Sequence, residues 1–126
     1  MVKRDYRDLM VWQKAMEMVT EIYRMTQAFP REEIYGLTSQ IRRAAVSIPS
    51  NIAEGQGRLT RGEFRQFLGH AKGSLGELET QILIAQNLGY IQDPSPLLNR
   101  VSDVARLLNG LLNSLTTSNR QLTTDN

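Results

Sequence analysis

Apolar residues recur at steps of three and four along most of this chain, and four separate stretches carry the pattern. The first spans Asp8 to Phe29, with Trp12, Ala15, Met16, Val19, Ile22, Tyr23 and Phe29 on one broad face and Pro30 closing it. Val11, Met18 and Met25 widen that face until about half the circumference is apolar, more than one core requires. The second runs from Leu37 to about Gly57 on Leu37, Ile41, Ala44, Ala45, Ile48 and Ile52. Thr60 and Glu63 form a T-x-x-E capping box that starts the third, where Phe64, Leu68, Ala71, Leu75, Leu78, Ile82 and Ala85 make a heptad seam ending at Gly89. Asp93-Pro94 and Ser95-Pro96 each offer an N-cap followed by a first-turn proline, and Leu97, Val101, Val104, Leu108, Leu111 and Leu115 form the fourth stripe. No segment reads as a strand. Short connections between four amphipathic helices predict an all-α, antiparallel up-down-up-down four-helix bundle over residues 1–117, with a frayed tail at 118–126.

Pro49 lies inside the second stripe, which does not stop for it. A proline there removes the hydrogen bond to the Ala45 carbonyl and crowds it, at a cost of about 3 kcal/mol in an ordinary helix interior. The uninterrupted stripe predicts a kinked but continuous helix, with Pro49 near a subunit contact.

Two features point to a second packing surface. Gly69, Gly73 and Gly76 line a face of the third helix away from its seam, each at a cost of roughly 1 kcal/mol relative to alanine. Arg42, Val46, Pro49 and Ala53 form a stripe on the second helix displaced from its core face. Another copy of the chain is the simplest occupant of such surfaces. The alternative is that the glycines admit Trp12 or Tyr23 within the same bundle.

Composition narrows the chemistry. A chain of 126 residues suffices for one domain with a real core, and the absence of cysteine excludes disulfides, thiol nucleophiles and thiolate metal sites. No apolar run is long enough for a signal peptide or a bilayer span, so a cytoplasmic protein with no membrane partner is expected. The sole histidine, His70, shares a face with Glu63 and Glu77, but spacings of seven put neighbours about 10 Å apart along the axis, too far for a shared metal. With no Glu-x-x-His pair, nucleophile elbow or phosphate-cradling glycine loop, no catalytic residue, metal ligand or cofactor is assigned and no enzymatic activity is expected.

Basic residues carry more information. The formal charge of the whole chain is only +2, yet Arg42, Arg43, Arg58, Arg61, Arg65 and Lys72 face only Glu54 and Glu63 in that segment, a local +4. Arg61, Arg65 and Lys72 fall within about 40° of one another around the third helix, and Arg58 lies just upstream. Such a stripe suits phosphate backbones; few aromatics are interleaved, so base reading is not expected. The plainer reading is a solvated face with local pairs such as Glu54–Arg58, and Glu79 continues the stripe with the opposite sign.

Several segments together resemble a known family. D-L-M-V-W-Q-K-A at Asp8 to Ala15, Y-G-L-T-S-Q-I-R-R-A-A-V-S-I-P-S-N-I-A-E-G at Tyr35 to Gly55, G-S-L-G-E-L-E-T-Q at Gly73 to Gln81 and L-G-Y-I at Leu88 to Ile91 are similar to the four-helix-bundle proteins encoded in 23S rRNA intervening sequences. The resemblance implies an antiparallel bundle that assembles as a homopentamer. A related member, the accessory variability determinant of diversity-generating retroelements, is a basic pentameric barrel that binds nucleic acid and a reverse transcriptase. That relation implies RNA or DNA, and a nucleic-acid-processing protein, as partners. The expectation is a non-enzymatic homo-oligomer that binds RNA or structured nucleic acid through the six basic residues. The competing expectation is a protein-interaction scaffold in which the charges only keep the assembly soluble.

Overall fold

The computed structural model describes residues 5–124, with side chains through residue 116. It contains four α-helices, α1 (Met10–Thr26), α2 (Leu37–Gln56), α3 (Arg61–Asn87) and α4 (Ser95–Thr124), and no strand among the described residues. Among those residues, α1 packs on α2 and α4, α3 packs on the same two, and neither diagonal pair meets. The four helices therefore form a four-sided bundle around one core. None is long and apolar enough to cross a membrane.

The core is built from the predicted stripes with one shift. In α1 the buried apolar residues are Val11, Ala15, Met18 and Ile22, while Trp12 and Val19 are half-buried and Met16 and Tyr23 are 42% and 40% exposed. Of the stripe expected on that face, Ala15, Ile22 and Phe29 are buried, whereas Trp12, Met16, Val19 and Tyr23 lie toward its outer edge. Both edges are apolar enough to pack, and the positions of α2 and α4 select the one that begins at Val11. In α2, Ile41, Ala44, Ala45, Ile48, Pro49 and Ile52 are buried; in α3, Leu68, Ala71, Leu75, Leu78, Ile82 and Ala85; in α4, Leu97, Val101, Val104 and Leu108. Each fully buried large side chain contributes about 1.5–3 kcal/mol of transfer free energy.

Helix α2 runs through Pro49 without interruption. Side-chain donors reinforce the carbonyls around the missing amide: Ser50 donates to the Val46 carbonyl at 2.8 Å, Asn51 to the Ser47 carbonyl at 2.7 Å, and the Ser47 hydroxyl lies 2.8 Å from the Ala44 carbonyl. These bonds flank the Ala45 carbonyl, which loses its amide donor to the proline, and none of them goes to it. Ser47 also pairs with Ser74 at 2.6 Å, and Gly55 faces Phe64 and Phe67, so α2 and α3 run in opposite directions. Gly55 is required there, since a Cβ would lie 2.9 Å from Phe67 Cβ and 3.0 Å from Phe64 Cδ1.

The helix ends follow their local chemistry. Thr60 caps α3, accepting from the Glu63 amide at 3.1 Å and donating to Glu63 Oε1 at 3.0 Å. Gly89 ends it at φ 81°, with its amide on the Gln86 carbonyl and that of Tyr90 on Ala85. Asp93 accepts from the Ser95 amide at the start of α4, which lowers its pKa. Helix α2 has no side-chain cap at Gly36; instead Glu33 reaches forward, its Oε1 accepting from the Leu37 amide at 3.0 Å and its Oε2 from the Tyr90 hydroxyl at 2.8 Å. Helix α4 stays helical past Leu115, and Asp125 and Asn126, in the tail expected from residue 118, lie outside the described residues.

Candidate nucleic-acid interface and assembly faces

The six basic residues do not form one patch. Arg42 and Arg43 sit near the start of α2, and Arg58 follows its end, a separation of roughly 20 Å at 1.5 Å per residue. Arg58, Arg61 and Arg65 gather where α2 turns into α3, and Lys72 lies eleven positions beyond Arg61. Lys72 borders a groove between α3 and α4 that also holds Gly76, Glu79, Ala105 and Asn109.

Their availability differs as much as their placement. Arg42 is engaged inside the fold: its Nε donates to Thr26 Oγ1 at 2.8 Å, a second nitrogen reaches the Tyr23 carbonyl at 3.4 Å, and the guanidinium lies 4.5 Å over the Tyr23 ring. Its charge thus sits at the C-terminal end of α1, where the helix dipole favours a cation. Arg58 pairs with Glu54 at 2.7 Å and stacks 4.7 Å over Phe67. Arg43, Arg61, Arg65 and Lys72 are exposed and make no ion pair among the described residues. The sequence marks all six as cations but carries no signal that Arg42 would be spent on Thr26, because that contact spans two helices.

The second-surface residues occupy two different faces. Val46, Pro49 and Ala53 line an open groove of about 330 Å³ between α1 and α2, with Trp12, Met16 and Val19 on the opposite wall. Val46 is 40% exposed, Ala53 is half-buried and Pro49 forms the floor. Gly69, Gly73 and Gly76 face outward from α3, and a Cβ at any of them would meet nothing within 4 Å among the described residues. No bulky side chain among the described residues fills that space, so accommodation of Trp12 or Tyr23 does not explain them. Beyond the glycines the same face carries Leu83 and Ile84, each 41% exposed.

Among the described residues no three of His, Asp and Glu gather closely enough to hold a metal ion. The family model described as 23S rRNA-intervening sequence protein matches residues 7–110. The chain belongs to that family. The matched span takes in α1, α2, α3 and much of α4, hence every candidate residue above. A comparison with curated proteins returns no match.

Proposed function

We propose that this chain is a non-enzymatic, cytoplasmic protein that assembles with copies of itself, as a pentamer, and binds RNA or structured nucleic acid through phosphate contacts. The observation that carries the reading is the free charge on α3. Arg61, Arg65 and Lys72 share one side of the helix, all exposed and without ion-pair partners among the described residues, with Arg58 beside the first turn. One copy offers few contacts; a ring repeats them and multiplies the field. Arg42, held by Thr26 and Tyr23, contributes background charge and not a mobile phosphate ligand.

The test is a salt titration of RNA binding by the wild type and by a variant with Arg61, Arg65 and Lys72 all changed to Glu. Loss of affinity, with the slope of log affinity against log salt falling by about 1 for each phosphate contact removed, supports the reading. Equal affinity and slope for both proteins would contradict it and leave an assembly that does not use these charges on nucleic acid.

A further inference from the structure

Both unpartnered faces have features that match along their lengths. The Ser47–Ser74 pair sets the relative height of α2 and α3. Stepping one residue up α3 for each residue down α2 brings Ala53, Pro49 and Val46 level with Leu68, Lys72 and Leu75, the heights of Gly69, Gly73 and Gly76. The same count places Arg43 level with Leu78, between Glu77 and Glu79, and Thr38 level with Leu83.

A rotation about an axis parallel to the bundle moves a neighbouring copy sideways without changing these heights. The neighbour's α3 then meets the α1/α2 groove with three kinds of complementarity. Its glycines, which leave open space, come against the Val46–Pro49–Ala53 ridge. Its Glu77 and Glu79, exposed and without ion pairs among the described residues, come level with exposed Arg43. Its Leu83 and Ile84 come level with the groove end where Ile34 is 53% exposed.

The geometry points to a head-to-tail contact in which the glycine face of α3 in one copy seats in the α1/α2 groove of the next, with Arg43 opposite Glu77 and Glu79. This inference rests on the self-assembly proposed above and specifies its contact. Unlike faces that meet by rotation close into a ring and do not stop at a dimer. Arg43 is then spent on the neighbouring subunit, and nucleic acid is left with Lys72 on the rim of the α3/α4 groove and with Arg58, Arg61 and Arg65 at the end of the bundle where α2 turns into α3.

Two variants break one face each without touching the core: Val46→Glu in the groove, and Gly73→Glu on α3, where a Cβ meets open space. Sedimentation at high protein concentration should show each alone at the mass of one 14.3 kDa chain. Mixed in equal amounts, they should form a species of two chains and no larger, because the intact groove of one accepts the intact α3 of the other. A second arm reverses charge: Arg43→Glu should weaken assembly at least tenfold, and adding Glu77→Arg and Glu79→Arg should restore most of it. Wild-type size for Val46→Glu alone, a mixture that stays at one chain, or a charge swap that restores nothing would overturn the head-to-tail contact. A wild type that runs as one chain would instead overturn the assembly itself.

Discussion

Replacing Gly73 and Gly55 in turn by alanine makes opposite demands on the two faces of this bundle. At Gly73 the added Cβ meets nothing within 4 Å among the described residues. Alanine there recovers roughly 0.8–1 kcal/mol of helix propensity, and all three of Gly69, Gly73 and Gly76 changed together recover about 2–3 kcal/mol. At Gly55 the same atom lies 2.9 Å from Phe67 Cβ, 3.0 Å from Phe64 Cδ1 and 3.3 Å from the Phe64 carbonyl oxygen. Moving α3 to admit it costs about 1–3 kcal/mol, which offsets the gain in propensity and leaves a net loss of up to about 2 kcal/mol. Urea unfolding across a range of protein concentrations separates intrinsic from assembly stability, because association makes the midpoint depend on concentration. The triple alanine variant should raise the midpoint extrapolated to low concentration and reduce its concentration dependence, since three methyl groups then stand between the copies. A triple variant that gains stability while keeping the full concentration dependence would refute the idea that these glycines serve close approach between subunits.

Three other outcomes follow from the helix interior and its ends. Pro49→Ala returns about 3 kcal/mol of helix propensity and gives up two buried ring carbons at about 0.8 kcal/mol each, so denaturant unfolding of the dissociated chain should show a gain of about 1 kcal/mol. Gly89→Ala places a side chain at φ 81° and should cost about 1 kcal/mol in the same assay. The amide of Leu37 and the Tyr90 hydroxyl hold the Glu33 carboxyl below its usual pKa, so its stabilisation is present at neutral pH and is lost as pH falls through that lowered value. Thermal melts at neutral and acid pH should therefore show a smaller acid-induced drop for Glu33→Gln than for the wild type.

The helices were readable in the sequence because their determinants are local. Periodicity gave the four stripes, Thr60 and Glu63 marked the start of α3, and Gly89 marked its end. Even the proline inside α2 was readable as continuous, since Ile52 keeps the phase set by Ile41, Ala45 and Ile48. What escaped is what depends on contacts distant in sequence. The choice between the Val11 and Trp12 edges of α1 is made by α2 and α4, and the Glu33–Tyr90 tie joins residues 57 positions apart. The basic cluster shows the same division: the count of charges is local, but Arg42 is withdrawn from it by Thr26 and Tyr23, on another helix. The glycines on α3 were anomalous in sequence, and their open surroundings sharpen the anomaly by removing the explanation inside the bundle.

The proposed nucleic-acid surface and the proposed head-to-tail contact both require self-assembly, and the mass of the wild-type protein in solution by light scattering tests it most directly. A closed assembly should give a mass independent of dilution over the micromolar range, and a pentamer about 72 kDa, five times the 14.3 kDa chain. A mass of 14.3 kDa at micromolar concentration would contradict the account, because the glycine face of α3 and the groove beside Pro49 would then have no partner.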